Sequence, residues 1–111
     1  MSGISKTICG ATGAILLAFA IAPAARGDNA GETLFKQKCA ACHGPDGKGE
    51  TSRGKTLKVR DLSSDDVQKQ TDAQLTEIAE NGKGKMPAYK GKLTDDKIKQ
   101  LVSYIRSLKK K

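Results

Sequence analysis

From Ile8 to Ala22 the chain carries no charge and is dense in apolar residues, among them Ile15, Leu16, Leu17, Phe19 and Ile21. Beyond Arg26 that density ends, and apolar positions recur at helical intervals in a polar background. Ala30, Leu34 and Phe35 lead into Cys39 and Cys42, with Gly31 one turn before Phe35, and predict a first helix between Asn29 and Ala41. Thr71-Asp72-Ala73-Gln74 has the pattern of a capping box. A helix follows through Leu75, Ile78 and Ala79 and stops at Asn81-Gly82. Thr94, Asp95 and Asp96 open a last helix, whose face is marked by Ile98, Leu101, Val102, Ile105 and Leu108. Ser63-Ser64-Asp65-Asp66 starts a shorter one over Val67, whereas Gly44 to Leu62, rich in Gly, Lys and Thr, is expected to be loop. Strand alternation is not seen, so the expected class is all-α.

The leading segment has the order of an export signal: a short region with one positive charge, Lys6, then the apolar run. That run is 15 residues long, short of the roughly 20 needed to span a membrane. Cleavage fits Ala22-Pro23-Ala24 or Ala25-Arg26-Gly27, so residues 1–27 are expected to be removed and 28–111 to form one mature domain outside the cytoplasm. Cys9 would leave with the signal.

Composition sharpens the split. The chain of 111 residues is 37% apolar, but only 25 of its 41 apolar residues lie in the last 84, where Leu, Ile, Val and Phe number 14. A segment so poor in core residues, with a net charge of +6, should be disordered unless something other than side chains fills its interior.

Cys39-Ala40-Ala41-Cys42-His43 offers that filler. Zinc would need a second ligand pair, and a thioredoxin-like redox pair would need a strand before it; the sequence shows neither. Spacing alone leaves a plain disulfide open. CxxCH is also the attachment signature of c-type haem. Its two thiols add across the haem vinyl groups as thioethers, and one helical turn brings both sulfurs to the porphyrin edge with the imidazole of His43 beneath the iron.

His43 is the chain's only histidine, so a second imidazole cannot fill the sixth position, which falls to Met86 or a lysine. Met86 is the only methionine besides Met1 and lies in Gly82-Lys83-Gly84-Lys85-Met86-Pro87. The flanking glycines allow close approach to a flat ligand and Pro87 stiffens the chain beyond. An ordinary packing role is the alternative. A thioether there would favour ferrous iron and raise the potential.

Together these residues resemble the class I c-type cytochromes, within them the short monohaem types such as cytochrome c6 and cytochrome c553, over essentially all of the mature region. The resemblance implies three to four helices wrapped around one covalent haem c. His43 is implied as proximal and Met86 as distal axial ligand. It also implies a crossing of the first and last helices, with Gly31 and Phe35 meeting Leu101 and Tyr104. In the family the ligating histidine bonds a backbone carbonyl of the following loop, for which Leu57 is a loose candidate. The tryptophan often packed near a propionate is absent. Tyr89 fits either as a haem neighbour or as ordinary packing.

Lys48, Lys55, Lys58, Lys83, Lys85, Lys90 and Lys92 flank the implied ligands, as a solvated surface or as a face steering toward an acidic patch on a redox protein partner. Nucleic acid is disfavoured by export and by an aromatic content of 4%. The function expected is that of a soluble, monomeric, exported carrier of single electrons between larger redox complexes, in the periplasm, or in the thylakoid lumen of a photosynthetic organism. It would have no catalytic residues and no small-molecule substrate. A haem peroxidase or gas-binding protein with Met86 unbound, and a haem-free disulfide protein, are the competing expectations.

Overall fold

The computed structural model describes residues 27–110 and, of the leading segment, Gly3, Gly10, residues 12–16 and Ala18. Most of the expected signal, including Cys9 and residues 21–26, lies outside the described residues; Ile15 and Leu16, which are described, are 87% and 92% exposed. Among the described residues no helix is long and apolar enough to cross a membrane.

Among the described residues six helices follow in order: α1 (Gly27–Lys38), α2 (Ala40–His43), α3 (Ser52–Leu57), α4 (Asp65–Gln68), α5 (Asp72–Asn81) and α6 (Asp95–Ser107). No strand occurs among the described residues, only isolated bridges joining Lys83 to Met86 and Lys90 to Leu93. The all-α expectation holds. Against the three to four helices that the resemblance implied, α1, α5 and α6 are those the apolar spacing marked, α4 follows the Ser63-Ser64-Asp65-Asp66 start, and α2 and α3 are additional short turns.

Two differences have local causes. The first helix does not run through to Ala41. It stops at Lys38, because the Cys42 amide bonds the Cys39 carbonyl at 3.2 Å, three residues back, and α2 is a separate turn. The expected loop from Gly44 to Leu62 contains α3. Its start is capped by Thr51, whose hydroxyl accepts from the Gly54 amide at 2.8 Å, and its end by Lys58 in the left-handed region at φ 54°. The buried residue of α3 is Gly54, so no apolar side chain announces it.

Elsewhere the caps fall where the sequence put them. Thr71 and Gln74 form the complete capping box of α5, and the Thr94 hydroxyl accepts from the Lys97 amide at the start of α6. Asp95 and Asp96 in the first turn of α6 and Arg106 in its last suit the helix dipole.

The core is built where α1 crosses α6. Gly31 is buried, and a Cβ on it would overlap the Gln100 carbonyl and crowd Tyr104. The absence of a side chain lets the helix backbones approach closely enough for Phe35, Leu101 and Tyr104 to pack together. Phe35 is fully buried, and its ring centroid lies 5.1 Å from that of Tyr104 at a tilt of 52°, a favourable aromatic geometry. The crossing that the resemblance implied is therefore present.

A second group, Val67, Leu75 and Val102, seats α4 and α5 on α6, with Leu62 and Ile105 packed against it. Polar ties reinforce it. The Gln68 amide donates to the carbonyls of Leu62 (2.8 Å) and Ile105 (2.9 Å). The Arg106 guanidinium donates to the Asp72 carboxylate (2.7 Å), the Gln68 carbonyl (2.8 Å) and the Gln70 carbonyl. Arg106 thus satisfies carbonyls left over at the end of α4, a role its place on a polar face did not signal.

Gly31→Ala should lower stability by about 2 kcal/mol, the usual cost of forcing an extra methyl into a packed contact. For a domain of this size that is a fall of roughly 10 °C in Tm. A thermal melt followed by circular dichroism checks it, and an unchanged Tm would mean that the helices do not meet at Gly31.

Candidate cofactor site

Cys39, Cys42 and His43 occupy a single turn at the end of α1, and its amides bond backwards in sequence. Cys39 donates to Phe35 (2.8 Å), His43 to Cys39 (2.9 Å) and Gly44 to Ala40 (2.9 Å). Gly44 then reverses the chain at φ 79°, and the Gly49 amide returns to the His43 carbonyl at 2.7 Å. The loop closes over the turn it has just left.

The unanticipated α3 completes this closure. The Thr51 hydroxyl donates to the Cys42 carbonyl at 2.8 Å while accepting from the Gly54 amide. Gly54 lies so close to the Cys42 and Gly49 carbonyls that a Cβ would overlap both. From the other side, the Tyr104 hydroxyl donates to the Pro45 carbonyl at 3.4 Å, and the Phe35 ring sits 6.4 Å from the imidazole. The five-residue motif is thus held by α1, α3 and α6.

Both cysteines are free and half-buried, so the disulfide reading does not describe this structure. Burial pushes the Cys39 thiol up to about 11, with the nearby Cys42 adding to the shift. No group of three or more His, Cys, Asp or Glu that could hold a metal ion occurs among the described residues.

His43 is half-buried, and its Nδ1 is shielded from solvent without a hydrogen-bond partner of normal geometry. Burial lowers its pKa, while the Arg60 carbonyl near the ring acts in the opposite direction. Arg60, rather than Leu57, is the carbonyl that faces the imidazole. The chain brings it there through the Val59 amide bonded to Gly54 (3.0 Å) and the Leu62 amide bonded to Gly47 (2.8 Å). A backbone carbonyl carries no side-chain signature, so the sequence could not have singled it out.

Met86 is half-buried in a tight turn in which its amide donates to the Lys83 carbonyl at 2.9 Å. The turn leaves α5 through Gly82 at φ 73°, where a Cβ would overlap the Met86 carbonyl. The chain then folds back on the end of α5, with the Tyr89 amide bonded to Ala79 (3.1 Å) and Lys90 to Glu80 (3.0 Å). Tyr89 reaches across to the motif: its hydroxyl donates to the Lys38 carbonyl, next to Cys39, at 3.0 Å. Met86 and the motif therefore belong to one region, although 43 residues separate Met86 from His43.

The donor set fits a c-type haem. Two free thiols on one turn, an adjoining imidazole with its Nδ1 turned from solvent, and a thioether on a nearby loop are the groups that such a cofactor uses. The basic residues Lys48, Lys55, Lys58, Lys83, Lys85, Lys90 and Lys92 are all exposed around these segments. A shallow cleft lined by Asp72, Thr76, Lys99, Val102, Ser103 and Arg106 lies apart from them and contains none of these donors.

Residues 27–105 match the protein family described as cytochrome C oxidase, cbb3-type, subunit III. A cytochrome c6 from Leptolyngbya boryana is 42% identical over 78 residues, covering 68% of this chain and 86% of that one. A cbb3-type cytochrome c oxidase subunit from Rhizobium leguminosarum is 37% identical over 81 residues, 71% of this chain but only 27% of that longer protein. Among solved structures, the KustC0563 c-type cytochrome superposes with a TM-score of 0.67 at 35% identity, covering 72% of this chain and 98% of its own. Cytochrome c6 from the diatom Phaeodactylum tricornutum gives 0.54 at 32% identity, covering 71% and 90%.

Thr51→Val keeps the shape of the side chain but removes both of its hydrogen bonds. It should cost about 1 to 2 kcal/mol, the usual range for a lost N-cap, and speed hydrogen exchange at the Gly54 amide. Denaturant unfolding with amide exchange checks this, and a Gly54 amide that stays as protected as before would remove Thr51 from the closure of the loop.

Proposed function

The chain belongs to the class I c-type cytochromes, and from this we propose that Cys39 and Cys42 hold its haem c as thioethers while His43 and Met86 supply the proximal and distal axial ligands. Its function is electron carriage through that covalently attached haem. Bound haem c supplies a one-electron ferrous/ferric couple. The observation that carries the ligand assignment is the tie between the Met86 loop and the cysteine turn, through Tyr89 and Lys38.

Each residue has a task that its surroundings support. Cys39 and Cys42 lie on one turn whose amides are bonded within the chain, which sets both thiols on the same short segment. Closure of the following loop and the Phe35 ring shield His43 from water. Burial favours the neutral imidazole, the form that can ligate iron, while the Arg60 carbonyl near the ring acts in the opposite direction. The Met86 thioether is a soft donor that favours the reduced metal and so raises the potential. With His43 and Met86 both holding the iron, no donor position would remain for a substrate, and the protein would carry electrons without enzymatic turnover.

The surroundings of the domain follow the same logic. Residues 1–27 act as an export signal and 28–111 as the mature protein, which works outside the cytoplasm, in the periplasm or a thylakoid lumen. It acts as a monomer. The exposed lysines around the site steer it toward acidic patches on larger redox protein partners, giving fast, weak, salt-sensitive encounters.

Met86→Ala should abolish the long-wavelength sulfur-to-iron band of the oxidised protein, lower the potential and allow carbon monoxide to bind the reduced protein at neutral pH. The wild-type spectrum decides first: high-spin features and ready carbon monoxide binding would favour a gas-binding or peroxidase role instead. Separately, Lys83→Glu with Lys85→Glu should slow electron exchange with an acidic redox protein by roughly tenfold at low salt and much less at high salt. A stopped-flow salt series measures this, and equal rates would make those lysines a solvated surface only.

A further inference from the structure

The segment carrying Met86 has an uneven set of attachments. Among the described residues, the backbone amides of the loop bond either to α5 or within the loop. Gly82 donates to Ile78, Tyr89 to Ala79 and Lys90 to Glu80, while Met86 bonds Lys83 and both Lys92 and Leu93 bond Tyr89. These contacts fix the loop to α5 and leave its placement against the cysteine turn to side chains. The Tyr89 hydroxyl crosses that gap, 51 residues in sequence, to the Lys38 carbonyl at 3.0 Å.

That carbonyl is available for a definite reason. Lys38 is the last residue of α1, and the amide that would bond it in a continued helix, that of Cys42, is bonded to Cys39 instead. The break that shapes the cysteine turn thus creates an unfilled acceptor, and Tyr89 fills it. Burial holds the phenol above its usual pKa, so it remains a donor throughout the neutral range.

We propose that Tyr89 is a positioning residue whose bond to the Lys38 carbonyl clasps the Met86 loop to the end of α1 and so keeps the Met86 thioether in place as a ligand. The inference rests on the assignment of Met86 as distal ligand. Without the clasp, the loop keeps its contacts with α5 but swings more freely relative to the cysteine turn, so an external ligand competes for the position more often. The step is a local opening, distinct from unfolding of the α1–α6 core.

The test uses the purified haem-loaded protein and two variants, Tyr89→Phe, which keeps the ring and removes the hydroxyl, and Tyr89→Leu, which removes the ring as well. Three quantities are followed: the sulfur-to-iron band on heating, helical circular dichroism on the same ramp, and imidazole binding to the oxidised protein. Loss of one neutral hydrogen bond should make opening about tenfold more frequent. Tyr89→Phe should therefore bind imidazole about tenfold more readily and lose the band at a lower temperature than wild type, well before its helices melt. Tyr89→Leu should do so more strongly. Imidazole binding and band loss unchanged in both variants would overturn the clasp while leaving Met86 as ligand. If band loss moved only in step with helix melting, Tyr89 would be an ordinary packing residue and the proposal would fall. A wild-type protein with no such band would instead remove Met86 as ligand, and the positioning role of Tyr89 with it.

Discussion

Gly31 lies at the root of this structure because the absence of its side chain sets how near α1 and α6 can come. Their close approach places Phe35 against Tyr104 and Leu101 in the most buried part of the protein. From there the same two aromatic side chains reach the chemistry. The ring of Phe35 flanks His43, and the hydroxyl of Tyr104 holds Pro45 in the loop just beyond it. A backbone contact with no chemistry of its own thereby determines where the imidazole stands.

The remaining elements are fastened to that crossing in two different ways. On one side, α4 and α5 join α6 through a small apolar group and through Arg106, which gathers carbonyls that short helices leave unpaired. On the other, α3 is joined to the cysteine turn by the Thr51 hydroxyl bonded to the Cys42 carbonyl and by the close backbone approach at Gly54. Hydrogen bonding and close approach take the place of side-chain burial there.

A thin interior is the general condition of this chain. Fourteen Leu, Ile, Val and Phe residues in the last 84 are few for a domain that must offset its conformational entropy by burial alone. The buried apolar residues are correspondingly concentrated at the α1–α6 crossing and in the patch around Val67. A covalently held, largely apolar macrocycle accounts for the rest of the interior. The composition that would indicate disorder in an ordinary chain therefore belongs to a c-type cytochrome whose haem is part of its core.

The sequence by itself determined the long helices and singled out the candidate donors. Apolar spacing marks α1, α5 and α6, hydroxyl and acidic residues mark the starts of α5 and α6, and the solitary His43 beside two cysteines points to c-type haem. Tertiary structure decided what depends on backbone. It broke α1 at Lys38, folded α3 around Gly54, turned the Arg60 carbonyl toward His43 and placed the Lys38 carbonyl beneath the hydroxyl of Tyr89. Every residue carries a carbonyl, so the letters of a sequence cannot show which one is left unpaired or where it points. That is settled only when distant segments pack and each buried polar group must find its partner.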